Sequence, residues 1–265
     1  MTTYPLAVSD TATMLRRNLR RMRRYPSLTF FIAGMPVVFL LLFVFVLGGT
    51  LGAGLGGVAG GRAEYTAYVL PGILVITVAG AAQGTAISIA MDMSEGIIAR
   101  FRTMAVARSA VLTGHVIGSL IQTLLALAIV MAVALLIGFR PTTGPIEWLG
   151  AAGILALTAI AVSWLSVALG MVSKSVETAS NLPMFLILLP FLSSGFVPTD
   201  SLPAGLSWFA ENQPFTPIIE TVRGLLLGTA IGDSGLLAVG WCVGISIVGF
   251  LWARKLYDRD PSPAI

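Results

Sequence analysis

The sequence predicts an all-α integral membrane protein with six transmembrane helices. Of its 265 residues, 56% are hydrophobic and only 11% are charged, whereas about 25% of a typical soluble domain is charged. The mean hydropathy is +0.91. The apolar residues form long unbroken runs and do not alternate with period two, as the strands of an outer-membrane barrel do. These observations exclude a water-soluble enzyme.

Six runs of at least 20 residues contain no Asp, Glu, Lys or Arg. About 20 apolar residues in a helix cross the hydrocarbon core of a bilayer. The first run continues into the glycine-rich stretch 48–61, which we interpret as an outer loop. The whole chain, 1–265, is then one transmembrane domain. Its predicted spans lie at about 28–48, 66–91, 111–138, 148–172, 179–197 and 234–253.

An amphipathic helix is predicted before the first span, at 8–25. Six arginines lie between residues 16 and 24, and Pro26 ends the pattern. Such a helix lies in the membrane interface, where anionic lipids attract it by about 1 kcal/mol per basic residue. Membrane lipids are therefore a predicted partner and nucleic acid is not. The helix is either a topology anchor alone or also a contact for a cytoplasmic partner. Its apolar face consists of Val8, Ala12, Leu15, Leu19 and Met22.

The basic residues predict the orientation. With both termini in the cytoplasm, thirteen of the sixteen basic residues lie inside, and only Arg62, Arg140 and Arg223 lie outside. The polar start of the chain predicts a retained first span and no cleavable signal peptide. The high Gly, Ala and Arg content is typical of a GC-rich bacterium, so we expect a bacterial plasma membrane. The terms inner and outer refer below to this orientation.

The composition excludes most catalytic chemistry. Cys242 and His115 are the only cysteine and histidine, so we predict no catalytic residue, metal site or disulfide framework. Neither Lys174 nor Lys255 belongs to a Walker loop, and no cofactor is expected on this chain. The lone Gly52-x-Gly54-x-x-Gly57 match is too weak to indicate a dinucleotide site. Because no span has a central charge, an ion-coupled carrier is disfavoured, and His115 is interpreted as a packing residue.

The strongest polar groups inside the predicted spans are Gln83, Gln122 and Asn181. Each either lines a substrate path or forms an interhelical hydrogen bond. Three Gly-x-x-x-Gly pairs, at 80/84, 114/118 and 240/244, allow close helix crossings.

The inner loop at 92–110 combines charged side chains with an apolar ridge that includes Ile98 and Phe101. A connector has no need of an exposed phenylalanine, so a short amphipathic helix here suits docking to another protein. The alternative is that the ridge sinks into the membrane interface. The charged residues are Asp92, Glu95, Arg100, Arg102 and Arg108.

The outer segment at 198–232 is polar in patches and contains two apolar pieces too short to cross a membrane. We predict short outer re-entrant or interfacial helices between spans five and six. Prolines interrupt the fifth span near its outer end, and Trp208 suits the headgroup level. Glu220 and Arg223 are three residues apart on a helix and are able to pair.

Both segments resemble the type-2 permease family of ABC transporters, and within it the daunorubicin-resistance permease group. The resemblance extends from the arginine-rich start to the sixth span. The motifs that carry it are Gly96–Met104, Arg108–Gly114, Ser194–Asp200, Asn212–Pro214 and Val222–Gly224.

The resemblance implies a transport subunit that is not itself an enzyme. It implies a separate ABC ATPase partner that holds ATP and Mg, and a pair of permeases, either a homodimer or two similar chains. The implied cargo is amphipathic drugs, antibiotics or lipids. The inner loop becomes the coupling helix and the outer segment closes the exit. The implied coupling residues are Glu95, Ile98, Arg100, Phe101, Arg102 and Arg108, and the implied outer gate residues are Asp200, Glu211, Glu220 and Arg223.

Two positions depart from the family pattern. Ala99 stands where an acidic residue is common, and Ala105 stands where a proline is common. We therefore favour Glu95 and Arg102 as the polar contacts to the ATPase. Two other functions remain open: a polysaccharide or lipid exporter permease, and a structural or assembly membrane protein without transport activity.

Overall fold

The computed structural model describes residues 4–24, 26–49, 62–98, 100 and 108–258. Within these residues the chain consists of helices joined by turns, which confirms the all-α prediction. The helices are α1 (Tyr4–Arg24), α2 (Pro26–Leu41), α3 (Arg62–Ser94), α4 (Arg108–Leu136), α5 (Pro145–Val172), α6 (Val176–Asn181), α7 (Met184–Leu188), α8 (Ala204–Asn212), α9 (Phe215–Leu227) and α10 (Ser234–Asp258). A π-helical turn, Leu42–Leu47, extends α2, and 3-10 turns occupy Leu189–Leu192 and Thr199–Ser201.

Four of the described helices are long and apolar enough to cross a membrane: α3, α4, α5 and α10. They coincide with the predicted second, third, fourth and sixth spans. The first and fifth predicted spans correspond to shorter apolar helices, Ile32–Leu47 and Val176–Leu192. The complete six-span topology therefore stays a prediction, as does the re-entrant course of α8 and α9.

The fifth predicted span, 179–197, is not one continuous helix. α6 ends at Asn181, α7 starts after Pro183, and a 3-10 turn containing Pro190 follows. Proline lacks an N–H and clashes with the carbonyl four residues earlier, so it interrupts an α-helix. The expected interruption near the outer end is present at Pro190, and Pro183 adds a second one nearer the inner side.

α3 is the central helix of the bundle. It packs against α2, α4, α5, α6 and α9, whereas α10 packs chiefly along α5. In the most apolar part of α3, 72% of residues are buried, compared with 22% in α10. A helix that is apolar on all sides belongs in the interior. α10 therefore lies at the periphery with an apolar face exposed.

A helix, α1, begins at Tyr4 and ends at Arg24 where the amphipathic helix is predicted at 8–25, and its location in the membrane interface stays a prediction. It crosses α4 at two glycines. A β-carbon placed on Gly114 would lie 2.6 Å from Cβ of Met14, and one on Gly118 would lie 3.1 Å from Cβ of Asn18. The Asn18 side-chain amide donates to the carbonyl of Gly114 over 2.9 Å. This Gly-x-x-x-Gly pair therefore seats α1, whereas the pair at 240/244 faces open space.

The contrast between the two pairs generates a stability prediction. Gly114→Ala forces α1 away from α4 and should lower the free energy of unfolding by about 1–3 kcal/mol, the usual cost of overpacking. Gly240→Ala is the matched control. It meets no atom within 4 Å and should raise stability by up to ~1 kcal/mol, since alanine favours a helix. Thermal unfolding of both variants in one detergent measures the difference. Equal shifts would contradict the packing of α1 on Gly114.

Candidate functional site

A buried carboxylate lies where the inner loop leaves α3. Asp92 is 2% exposed and is the third residue from the end of that helix. Nη2 of Arg17, on α1, donates to both carboxylate oxygens over 2.8 and 2.9 Å. Nε2 of His115, on α4, lies 3.2 Å from Oδ2 of Asp92. We call these three residues the inner cluster, which joins α1, α3 and α4.

The inner cluster explains how a charge is tolerated at this depth. An isolated buried carboxylate is strongly disfavoured unless it is paired and hydrogen-bonded. Arg17 supplies a permanent positive charge, and its side chain is 35% exposed whereas that of Asp92 is 3% exposed. Sequence reasoning treated Asp92 as one of several loop charges and missed Arg17 as its partner. The two lie 75 residues apart, so no local spacing connects them.

In the described part of the inner loop after Asp92, the two charged residues are exposed and Ile98 is buried. Glu95 is exposed in the turn after α3, and Gly96 follows with a positive φ of 68°. The backbone N–H of Arg100, an exposed residue, donates to the carbonyl of Gly96 over 3.1 Å. Ile98 is only 3% exposed and packs with residues such as Leu112 and Tyr257.

Ile98 thus differs from the expectation of an exposed docking ridge. It anchors the loop within this chain, because burying it against neighbouring helices removes its apolar surface from water. The other predicted coupling residues, Phe101 and Arg102, and the side chain of Arg108 lie outside the described residues. Their part in docking stays a prediction.

A second polar cluster lies at the outer end around Arg223 of α9. Nη2 of Arg223 donates to the carbonyl of Ser194 over 2.6 Å and to that of Tyr68 over 3.2 Å. Its guanidinium carbon is 4.2 Å from the centre of the Tyr68 ring, a cation–π arrangement. Burial lowers the pKa of the guanidinium, but arginine starts so high that it stays charged at neutral pH. We call Arg223, Tyr68 and Ser194 the outer cluster.

The expected Glu220–Arg223 pair does not form. Glu220 accepts a hydrogen bond from the Ser234 hydroxyl over 2.9 Å and so links α9 to α10. Nη2 of Arg223 is directed instead towards the carbonyls of Ser194, in the turn after the fifth segment, and of Tyr68, on α3. Leaving a buried carbonyl without a donor costs free energy. The hydrogen bonds from Arg223 to these carbonyls are therefore favoured over an ion pair with Glu220.

The turn at Ser193–Gly195 makes a direct backbone contact with α3. A β-carbon on Gly72 would lie 3.0 Å from the carbonyl oxygen of Gly195, so the two glycines permit the approach. Gln213 donates to the carbonyls of Leu189 and Leu192 over 3.1 and 2.7 Å. Sequence reasoning missed Gln213, although it follows the proline breaks and lies inside the recognised Asn212–Pro214 motif.

The remaining predicted residues do not converge on one site. Glu211 is exposed on α8 and accepts from the Ser207 hydroxyl over 3.1 Å. The backbone of Asp200 lies in a 3-10 turn, and its side chain is outside the described part of the chain.

Gln83 donates to the carbonyl of Ser180 over 2.7 Å, which favours the interhelical alternative and brings it beside Asn181. Asn181 is exposed at the end of α6, and Gln122 is half-buried on α4. The role of these three residues in a substrate path stays a prediction.

Comparison with known proteins identifies relatives over most of the chain. Residues 9–227 match the family model described as ABC-2 type transporter. The chain is 32% identical over 244 residues to the daunorubicin resistance ABC transporter permease protein DrrB1 of Streptomyces coeruleorubidus, covering 91% of this chain and 83% of that protein. It is 23% identical over 163 residues to the probable doxorubicin resistance ABC transporter permease protein DrrC of Mycobacterium tuberculosis, covering 62% and 59% of the two chains.

The geometry of the inner cluster predicts an asymmetric response to mutation. Arg17→Gln leaves the buried Asp92 without its permanent counter-charge and should destabilise the protein by about 3 kcal/mol. Asp92→Asn should cost less, because the part-exposed Arg17 side chain then reaches water. Arg20→Gln is the matched control on the exposed side of α1 and should change stability by less than about 0.5 kcal/mol. Thermal unfolding in detergent measures all three, and equal effects of Arg17→Gln and Arg20→Gln would disprove the pairing.

Proposed function

Because the chain belongs to the ABC-2 type transporter family, we propose that it is the membrane-spanning permease subunit of an ATP-driven exporter of amphipathic drugs or antibiotics. The observation that carries this proposal is the family match over 9–227 together with 32% identity to a permease named for daunorubicin resistance. The four long apolar helices fit a membrane path, and the exposed apolar surface fits a lipid environment.

The energy comes from a partner in this proposal. The sequence contains no Gly-Lys-Ser or Gly-Lys-Thr, which a P-loop requires to hold phosphates and Mg. A separate ABC ATPase would bind both. The exposed Glu95 and Arg100 of the inner loop offer charges of both signs for docking of the ATPase. The sequence places a further positive charge in the same loop, at Arg102. Two permease chains, identical or similar, complete the transporter.

Coupling between the two ends runs through α3. The inner cluster pins α3 to α1 and α4 at Asp92, and the outer cluster contacts the same helix at Tyr68. These two residues are 24 positions apart, or about 36 Å along a helix. That length exceeds the ~30 Å hydrocarbon core. In this proposal α3, which is continuous from Tyr68 to Asp92, transmits a displacement of the inner loop to the outer end.

The proposed cycle switches between two states. ATP binding closes the partner and pulls on the inner loop, and α1, α3 and α4 then move together because Asp92 holds them. The movement shifts Tyr68 and Gly72 against Arg223 and Gly195, and so changes access at the outer end. The partner drives this change only if it binds the two states with different affinity. Both termini stay in the cytoplasm of a bacterial cell.

Docking through the inner loop is tested with Glu95→Ala combined with Arg102→Ala. Each change removes a charge from the proposed ATPase contact, so recovery of the co-expressed ATPase in a pull-down from mild detergent should fall at least tenfold. Membrane insertion should be unchanged, because neither residue lies within a span. Glu177→Ala is the matched control, since Glu177 is also an exposed acidic residue at the predicted inner side. Normal recovery and normal drug export by the double variant would refute docking at these residues.

The outer cluster is tested with Arg223→Lys. A lysine keeps the charge but loses the planar guanidinium, which stacks on the Tyr68 ring and from which Nη2 donates to two carbonyls. Daunorubicin export from preloaded cells should fall several-fold while the ATPase still co-purifies. Glu147→Gln, at an exposed position in the first turn of α5, is the control and should leave export unchanged. Wild-type export by Arg223→Lys would leave the outer cluster with a packing role only.

A further inference from the structure

A cavity of about 160 Å³ lies apart from the inner and outer clusters. Its walls come from α5, from α7 with the 3-10 turn that follows, from the start of α9 and from α10. The side chains that define it include Val162, Phe185, Ile218, Cys242 and Ile245. Most of its lining is apolar, and its two polar side chains, Thr158 and Cys242, lie next to each other.

Neither of these polar groups needs water. The Thr158 hydroxyl donates to the carbonyl of Ile154 over 2.8 Å and lies 3.5 Å from Sγ of Cys242. Water enters a cavity when it finds polar partners there. Apolar cavities stay dry and take apolar molecules, as an engineered cavity of about 150 Å³ takes benzene. The chemistry of the lining therefore selects a hydrocarbon group.

The cavity opens sideways between the broken fifth segment and α10. Its rim side chains Phe185, Leu165 and Ile245 are partly or fully exposed, and Phe185 is 46% exposed. Beyond the rim, Leu188 and Val248 are exposed apolar residues. The fifth segment packs on α3, whereas α10 packs on α5, and side chains of both line the cavity.

The opening lies at the depth of the hydrocarbon core. Thr158 is at the middle of α5, a helix of 28 residues. Cys242 is eight residues from the start of α10, or about 12 Å along the helix axis. At this depth the molecules outside the rim are the acyl chains of bilayer lipids.

We infer that this cavity binds the end of an acyl chain of a bilayer lipid. Its volume suits about six carbon atoms, by comparison with the benzene cavity. Drug-sized ligands occupy roughly 300–1,000 Å³, so a fused-ring drug is too large. A bound chain end restores the dispersion contacts that the cavity otherwise forfeits and bridges α5, α7 and α10. This inference goes beyond the proposed function and does not depend on an ATPase partner.

Photo-crosslinking tests the site directly. The full chain is reconstituted in phosphatidylcholine vesicles that carry a diazirine near the end of one acyl chain. Peptides that contain 158–165, 185–189 and 242–245 should be labelled at least fivefold above other lipid-facing peptides. Ala161→Leu fills the cavity and should abolish this excess. Val248→Leu, on the exposed face of α10, is the control and should leave it intact.

Cys242 provides an independent reporter in the wild-type chain. It is the only cysteine and is 1% exposed. N-ethylmaleimide should label it at least fivefold more slowly in phosphatidylcholine vesicles than in lipid-free cholate, a fused-ring detergent without an alkyl chain, because the acyl chain covers the thiol. The chain unfolded in dodecyl sulfate gives the maximal rate. This measurement tests whether an acyl chain occupies the cavity even if Ala161→Leu fails to fold.

Three outcomes would overturn the inference. Uniform labelling of lipid-facing peptides, unaffected by Ala161→Leu, would mean that the cavity is empty. Equal alkylation of Cys242 with and without lipid would mean that no chain covers it. Protection of Cys242 by daunorubicin in the absence of lipid would assign the cavity to cargo. A failure here leaves the proposed function standing, since pull-down of the ATPase tests that separately.

Discussion

Hydrocarbon offers a protein neither hydrogen bonds nor counter-ions, so each polar group inside the bundle needs a partner from the chain itself. The broken fifth segment depends most on this constraint. Its prolines interrupt the regular helix, and the side chains of Gln213 and Arg223 donate to the carbonyls of Leu189, Leu192 and Ser194. The same constraint explains why Asp92 is held by Arg17 and His115. Where the backbone is irregular or a buried side chain is charged, residues that are distant in the sequence supply the hydrogen-bond partners.

The hydrogen bonds and ion pairs of the inner and outer clusters also connect the two ends of the molecule. α3 takes part in the inner cluster through Asp92 and in the outer cluster through the carbonyl of Tyr68. The helix between them is buried and tightly packed, and packed interiors deform little. In the proposed cycle this element links the face on which the ATPase acts to the face where the cargo leaves. The peripheral α10, by contrast, is mostly exposed within this chain and borders the lateral cavity.

Much of the architecture follows from local sequence. The second, third, fourth and sixth spans could be predicted because long charge-free apolar runs have one stable form in a bilayer, a helix. The basic amphipathic helix α1 and the family motifs could also be predicted, since their residues are close together in the chain. The fifth span could be predicted only in part. Its apolar run suggested a helix, and Pro183 interrupts it where hydropathy alone carries no signal.

The sequence by itself therefore determined the class of protein, most of the long helices and the family, because hydropathy and short motifs are properties of neighbouring residues. Only the tertiary structure decided which polar residues meet. Arg17 and Asp92 are 75 positions apart, and Arg223 reaches a carbonyl 155 positions away. The tertiary structure also buried Ile98, and it paired Glu220 with Ser234 and Arg223 with backbone carbonyls. Such choices depend on which buried group would otherwise stay unsatisfied, and that becomes defined only when the helices pack together.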